Sequence, residues 1–440
     1  MQVWESLPGG PVGSIDRAVG ARQRARMSWR RLGWIVALAA WPGVARASGF
    51  LLYEQSAAAL GKGSAMVAGA GDPSAAWFNP ASLAFVPAAG VALNTALLAP
   101  STRFSPRQTS SMPMPDVVAP SDRQLVPSLF AHVPLGARFT GALTVLAPFA
   151  LKVSWPSGWV GAQEALASDV IVIGVNPSVA FRLDQHWSLA AGVSLLHGQV
   201  DLGLALPVPP GGIGQLSGTA WGASGNLALL WRPLPETLQF GFTYRSRSHL
   251  PFRGRASFDV LDVKYKDALP VQGVSADVTL PDVLALGASF RPHRQLQVTV
   301  EGDWVMWSTF DHVLIDFERP NSPPDRLIER GGINPFSARL GLEWTWLDPR
   351  VVARVGGAFD QSSSRAERTS ASAPDGHRLG AGVGLGIAFG ALTVDIAYFY
   401  AYFLPTVASG PDAHPEGTYR SFAHVFALTL GVGGGGPQLR

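Results

Sequence analysis

From Leu296 to Trp304 the apolar residues Leu296, Val298, Val300 and Trp304 alternate with Gln297, Thr299, Glu301 and Asp303, so an extended chain presents one oily face and one polar face. The same period of two returns many times. Leu238, Phe240, Phe242 and Tyr244 oppose Gln239, Gly241, Thr243 and Arg245; Ala338, Leu340, Leu342 and Trp344 oppose Ser337, Arg339, Gly341 and Glu343; Leu392, Val394, Ile396, Tyr398 and Tyr400 oppose Thr393 and Asp395. Fourteen such strands are predicted, at 88–100, 123–133, 138–152, 169–182, 186–203, 218–231, 237–253, 277–291, 295–311, 335–346, 350–360, 377–389, 391–403 and 420–432.

Their connections alternate in length. Short turns such as Pro134–Arg138, Leu183–Gln185, Arg232–Glu236, Pro292–Arg294 and Leu347–Pro349 exchange with long polar loops at 101–122, 254–276, 312–334, 361–376 and 404–419. Tight turns on one side and long loops on the other are the layout of an outer-membrane barrel, and an even strand count returns both ends to the tight-turn side. Lipid offers no hydrogen bonds to an open edge, so strands cross it only in a closed sheet. Aromatic groups near strand ends, Trp304 with Trp307 and Phe310, Trp344 with Trp346, and Tyr398 to Phe403, suit interfacial girdles. A secreted soluble β-sandwich is the competing fold, and it leaves the loop asymmetry unexplained.

Composition agrees with a lipid-facing chain. It is 47% hydrophobic and only 15% charged, against roughly 25% charged residues in an average soluble domain. There is no Cys, so no disulfide framework holds the fold, and a net charge of +3 is too small to argue for nucleic acid. Met27-Ser-Trp-Arg30-Arg31, the apolar run Leu32–Val44 and Ala45-Arg46-Ala47 have the order of a secretory signal: basic region, short apolar core, A-x-A cleavage site. Residues 1–47 are therefore read as leader and signal peptide with cleavage after Ala47, either starting at Met27 or with 1–26 as an unusually long basic region.

Residues 48–86 show no alternation. This Ala-, Gly- and Ser-rich stretch, ending near Asn79-Pro80-Ala81, has too few large side chains to build its own core, and must pack inside something else. The division is then 48–86 as a plug or hatch, 87–432 as barrel and 433–440 as tail.

At this point the chain resembles the FadL/TodX outer-membrane transport family. The residues that carry the resemblance are Tyr53-Glu-Gln-Ser56, Ala59-Leu-Gly-Lys-Gly63 and Asp72 to Ala81, with Ala147-Pro-Phe149, Asn176-Pro-Ser178, Leu280 to Pro292, Asp303-Trp304, Trp307-Ser308, Asn334-Pro335 and Arg339-Leu-Gly341 in support. The resemblance implies an all-β, fourteen-stranded antiparallel transmembrane barrel with an N-terminal hatch in its lumen, in the outer membrane of a Gram-negative bacterium. It implies diffusive uptake of long-chain fatty acids or related hydrophobic molecules, with lateral exit where the third strand kinks. Aromatic or aliphatic hydrocarbons are the alternative cargo.

The expected partners are a hydrophobic small molecule and outer-membrane lipid; no cofactor and no metal are implied, and a monomer is expected. Phe50 falls where the family's hatch begins, and resemblance assigns it a displaceable role at an internal pocket. Pro148 lies inside the predicted third strand, where a proline removes a ladder N–H and marks a local break. Asn79 and Pro80 are expected in a hatch turn. Arg245 and Arg339 fall on polar strand faces; they are candidates for a ligand carboxylate, although lumen charges such as Glu301, Asp303, Glu343, Arg354 and Asp395 are expected mainly to pair with one another. There is no G-x-S-x-G, H-E-x-x-H or P-loop, and His132, His197, His312 and His377 lack ligand spacing. A general porin and an outer-membrane lipid hydrolase remain the other classes. One departure from the family is the Gly-rich end at 433–440, where a terminal aromatic residue is usual.

Overall fold

A computed structural model of the chain describes residues 50–433 apart from 70, 109–113, 320–322, 330–331, 347–349 and 410–414. The predicted leader, signal peptide and the tail from 434 onward lie outside the described residues. The wall is a closed antiparallel barrel of 14 strands. In chain order they are β1 (Gly90–Pro106), β2 (Gln124–Pro134), β3 (Phe139–Ser154), β4 (Ala167–Arg182), β5 (Trp187–Ala205), β6 (Gly212–Leu234), β7 (Leu238–Arg245 and Ser248–Val260), β8 (Gln272–Leu280 and Val283–His293), β9 (Leu296–Val305), β10 (Phe336–Thr345), β11 (Val351–Asp360), β12 (Arg378–Phe389), β13 (Leu392–Ala408) and β14 (Gly417–Gly433). The barrel closes where β1 meets β14, in unbroken register from Gly90↔Gly433 to Pro106↔Gly417.

The alternation decides what faces lipid. On β6 the outward positions run Trp221, Ala223, Gly225, Leu227, Leu229 and Trp231, and the two tryptophans are 61% and 37% exposed. Ten residues at a rise of about 3.4 Å, tilted by about 40°, span about 26 Å, the height of an outer-membrane apolar band of about 25 Å. Trp231 stacks between Trp187 and Phe240 with centroids 5.3 Å apart in each case, forming a girdle at the tight-turn end, and Trp221 pairs with His197 at 4.5 Å at the other. Gly390 permits the tight connection between β12 and β13 by adopting a φ of +64°.

Strands β1, β6 and β13 run further toward the long loops than predicted, and three others are broken or cut short. Strands β7 and β8 are each interrupted, at Ser246-Arg247 and at Pro281-Asp282, and extend further toward the long loops than predicted. The break is stabilised from within, because Asp282 accepts hydrogen bonds from the Tyr244 hydroxyl, the Arg247 backbone N–H and the Arg247 Nε. Strand β9 ends at Val305 rather than 311, and Trp307–Phe310 forms a 3-10 turn. Trp307 and Phe310 are buried at 2% and 3% exposure, so they do not belong to the girdle in which the sequence placed them; Trp304 does face outward. Beyond that turn the hairpin His312–Phe317 and Arg326–Glu329 prolongs the sheet beside β8 and turns Val313, Ile315 and Phe317 inward.

Candidate functional site

The described residues between 50 and 86 lie inside the barrel, and most of them are buried. Ser56 caps helix α1 (Ala57–Gly61) by accepting from the Ala59 N–H, and Ala-rich sequence sustains that one turn without bulky side chains. Helix α2 (Ala75–Phe78) follows, then a 3-10 turn over Pro80–Phe85. The short side chains let backbone rest on backbone. A Cβ at Gly356 of β11 would lie 2.1 Å from the Lys62 carbonyl carbon, and Gly63 passes over the wall at a φ of +61°. A methyl group at Gly356 would therefore push the segment off the wall.

Strands β9–β13 hold this segment with charge. Arg339 is 4% exposed and lies 2.7 Å from Asp303 and 2.8 Å from Asp360, with its guanidinium carbon 3.7 Å from the Tyr53 ring centroid. Arg378 joins Asp360 to Glu54 at 2.7 and 3.1 Å. Glu301 accepts the Met66 and Val67 backbone N–H groups, both at 2.7 Å. Arg354 pairs with Glu343 at 2.8 Å and also with Asp395, and Lys62 lies 3.8 Å from Glu343. Each of these four cations has a carboxylate, so desolvation is offset by attraction.

The opposite side is different. An apolar cavity of about 780 Å³, counted with its open mouth, lies between the upper parts of β4–β8 and the inward face of the long hairpin. Val172, Leu202, Leu250, Phe252, Val278 and Ile315 are among its lining, and Phe50 closes one end. The Phe50 ring packs on Phe149 at 5.5 Å, Trp307 at 5.1 Å and Phe310 at 6.4 Å. This aromatic box gives the burial of Trp307 and Phe310 its reason.

Next to the box the wall itself is open. Strands β2 and β3 are in register from Pro134↔Thr140 to Leu129↔Val145 and no further, while Gln124–Ser128 of β2 remains paired with β1. The register of β3 with β4 shifts between Leu146 and Phe149, at Ala147-Pro148. The inner edge of β3 is taken instead by the N-terminal segment: Ala150 N–H donates to the Phe50 carbonyl at 2.9 Å, Leu52 N–H donates to the Pro148 carbonyl at 2.8 Å, and Leu51 bridges to Phe149. Gln55 spans the seam. Its amide donates to the Ala147 carbonyl on β3 at 2.8 Å and accepts from Ser128 on β2 at 2.8 Å. Farther up, Ser154 bonds to Asp122 across the same interval.

The six residues singled out from sequence therefore separate. Phe50 and Pro148 meet at one place, the junction of cavity and seam. Asn79 and Pro80 lie elsewhere: Asn79 is fully buried, caps its own turn by accepting from Ala81 N–H, and donates to the Val67 and Leu229 carbonyls, while Pro80 supplies the first turn residue. They shape the segment and do not line the cavity. Arg339 is committed to Asp303 and Asp360, which leaves no free fork for a ligand carboxylate. Arg245 donates to the Trp77 carbonyl and covers the Trp77 ring at 3.4 Å, with no carboxylate partner among the described residues. Sequence reasoning missed Gln55, which carries no composition signal, and Glu54 with Arg378, whose meeting depends on the segment's path across the lumen.

A profile described as outer membrane protein transport protein (OMPP1/FadL/TodX) matches residues 36–432. The chain belongs to that family. It is 23% identical over 401 residues to the long-chain fatty acid transport protein of Salmonella typhi, covering 84% of this chain and 89% of that one. Outer membrane protein P1 of Haemophilus influenzae is 24% identical over 309 residues, 62% of this chain and 65% of its own length. Among solved structures, a Pseudomonas aeruginosa FadL homologue superposes with a TM-score of 0.77 at 18% identity, over 87% of this chain and 99% of that one. The Pseudomonas putida toluene transporter TodX does so at 0.66 and 14% identity, over 87% and 99%. This FadL/TodX member is an outer-membrane protein of the Gram-negative type and spans the membrane as a β-barrel.

Proposed function

We propose that this FadL/TodX member admits long-chain fatty acids, or hydrophobic molecules of similar shape, by diffusion from the apolar cavity past Phe50 and out sideways between β2 and β3. The observation that carries the reading is the seam, where the wall lacks its own ladder and a detachable segment supplies the missing hydrogen bonds. Residues 48–86 act as the hatch, Phe50 as its displaceable tip, and the bulge at Pro148 keeps β3 from closing on β2. Residues 1–47 act as leader and signal peptide, and the barrel works as a monomer in outer-membrane lipid.

The test uses the cysteine-free background. Leu51 and Phe149 face each other as a non-hydrogen-bonded antiparallel pair, whose Cα atoms approach to about 4.5 Å, a separation a disulfide accepts. Leu51→Cys with Phe149→Cys should transport palmitate when reduced and lose transport when oxidised; equal rates in both states sink the reading. Catalysis is not part of this function. Ser362, Asp375 and His377 do sit together, but His377 Nδ1 accepts from the Ser362 backbone N–H while the Ser362 hydroxyl donates to Asp375, so the imidazole is not placed on the hydroxyl as a triad requires. Purified protein should release no fatty acid from phospholipid. The porin alternative predicts large single-channel conductance from the intact chain, whereas a seated hatch keeps it small until residues 48–86 are deleted.

The hydrocarbon cargo implied by the TodX branch has one observation in its favour: the buried lining of the cavity is aliphatic and aromatic almost throughout. Competition between toluene and palmitate for transport separates the two cargoes.

A further inference from the structure

The lipid-facing surface over β13, β14 and β1 ends in a way the rest of the wall does not. On β14 the outward residues run Val432, Leu430, Leu428, Phe426, His424 and Phe422. Val432 and Phe422 are as far apart in sequence as Trp231 and Trp221 on β6, and so cover the same apolar height of about 26 Å. The upper end is aromatic: the Tyr400 ring of β13 lies 5.3 Å from His424 and 6.2 Å from Phe422. The next outward residue up the strand is Arg420, and its register partner on β1 is Arg103. Their chain neighbours Tyr419 and Phe104 are buried inside the barrel, so both guanidinium groups stand outside it, at the level of the lipid head groups.

Two like charges side by side on a sheet need a reason. Antiparallel partners hold their Cβ atoms about 5 Å apart, and like charges in that position destabilise the pairing. The protein's own carboxylates do not offset it. Asp116 lies 3.6 Å from Arg103, Glu416 is 2.7 Å from Arg107, and Arg420 donates to the Ser105 hydroxyl at 3.0 Å with no carboxylate within 4 Å among the described residues. Three arginines thus share two carboxylates. Cations at this height elsewhere are arranged otherwise. Lys152 of β3 is bound to Asp169 at 2.7 Å, and Arg253 and Arg255 follow one another along β7, half the barrel away, with Thr219 and Ser217 of β6 as register partners.

We propose that Arg103 and Arg420 together bind the phosphate of a glycolipid in the outer leaflet, whose acyl chains run down the wall from Phe422 and Tyr400. A phosphate monoester carries about −1.5 to −2 charges at neutral pH and accepts the forks of two guanidinium groups at once, so it converts their repulsion into a bridge. The pair stands directly above a lipid-facing belt, where a head group arrives with its chains already seated; that position favours a lipid over a free anion. The site lies on the outside of the wall and is independent of which cargo passes through the lumen.

The probes are lipid A carrying two phosphates and the same lipid with both removed, added to the purified full-length protein in detergent and read as bound adducts by native mass spectrometry. Wild type should retain the phosphorylated form about tenfold more than the dephosphorylated form, and Arg103→Gln with Arg420→Gln should lower that ratio to about two or less. Arg253→Gln with Arg255→Gln removes the same charge from the opposite wall and should leave the ratio within about twofold of wild type. A phosphate preference that survives the loss of Arg103 and Arg420 overturns the proposal. An equal fall in both double variants also overturns it, because net charge would then be the cause. Inorganic phosphate is the third probe: binding as tight as that of the lipid, with the same dependence on the two arginines, makes the site one for a free anion and overturns the lipid assignment. A second readout guards against a folding defect. Phosphorylated lipid A should raise the temperature at which the barrel loses its compact gel mobility in wild type and not in Arg103→Gln with Arg420→Gln, while without lipid that variant should be no less stable than wild type; equal protection of both overturns the proposal.

Discussion

The two sides of the lumen hold the N-terminal segment, the proposed hatch, in different ways. Against β9–β13 it is met by compensated charge: Arg339 between Asp303 and Asp360, Arg378 between Asp360 and Glu54, Arg354 between Glu343 and Asp395. Against β3–β7 it is met by an apolar cavity, an aromatic box, uncharged amides and hydroxyls, and the Arg245 guanidinium, which has no carboxylate partner among the described residues. Paired charges are directional and costly to separate, so the first side fixes position. The second side has contacts that can be broken one residue at a time, at the place where the wall has an opening. On the proposed route, attachment and passage fall to opposite halves of one cylinder.

The largest effect should come from breaking the fixed side. Arg339→Leu leaves Asp303 and Asp360 buried without their shared cation, a loss of about 3–5 kcal/mol in the seating of the hatch. Single-channel conductance should rise and the temperature at which the folded barrel loses its compact gel mobility should fall; no change in either would show that the charge network is not what holds the segment. Phe50→Ala acts on the other side. Removing a ring packed on Phe149, Trp307 and Phe310 should cost about 3 kcal/mol, at the low end for such truncations because the ring borders a cavity. Hydrogen exchange at Leu52 and Ala150 should accelerate while exchange in α1 stays slow, and equal acceleration in both would erase the distinction between the two sides.

Gln55→Leu should do less, about 1–3 kcal/mol, by stranding the Ala147 carbonyl and Ser128 hydroxyl across the seam. Its signature is faster palmitate uptake without increased ion conductance. The smallest effect concerns Asp375, in the loop above the charged side. Unlike the carboxylates beneath it, Asp375 has no cation among the described residues; burial pushes it up to about 7, partly countered by hydrogen bonds from Ser362, Gly376 and Ser363. Because the folded loop prefers the protonated acid, this contribution to stability is complete below the ordinary carboxylate range, near pH 4, and is lost as pH rises through about 7. Hydrogen exchange over residues 361–377, corrected for intrinsic rates, should show more protection at pH 5 than at pH 8 in wild type and a flatter profile in Asp375→Asn. A profile unchanged by the substitution would place the pH response elsewhere.

How far these features were legible in sequence follows from what alternation encodes. A period of two states which face a residue occupies, and it placed Glu301, Asp303, Arg339, Glu343 and Asp395 inward and Trp304 and Trp344 on the outward, oily face. It does not state which inward residues meet across a lumen. That depends on closure and on the path of the hatch, so Arg339 looked available for a ligand although two carboxylates claim it, and the Glu54–Arg378 contact was invisible. Asn79-Pro80 has the chemistry of a turn and also of a conspicuous motif; the Ala81 N–H donating to Asn79 Oδ1 makes it a turn, and bonds to the Val67 and Leu229 carbonyls hold that turn in place. Pro148 was the informative residue, because a missing N–H inside a strand has the same consequence wherever the strand lies. Trp307 and Phe310 misled for the opposite reason: an aromatic residue at a strand end suits a girdle or a box, and only the presence of Phe50 decides.

The pairing of β1 with β14 also sets an order of events. Ala57 N–H donates to the Thr429 hydroxyl at 2.9 Å, and that hydroxyl donates to Asn94 at 2.8 Å, so the last strand, the first strand and the hatch share one chain of hydrogen bonds. The part of the barrel made first can reach its final partners only when the part made last arrives. Closing β1 on β14 therefore does two things with one set of contacts, completing the wall and fastening to it, through Thr429, the segment it encloses.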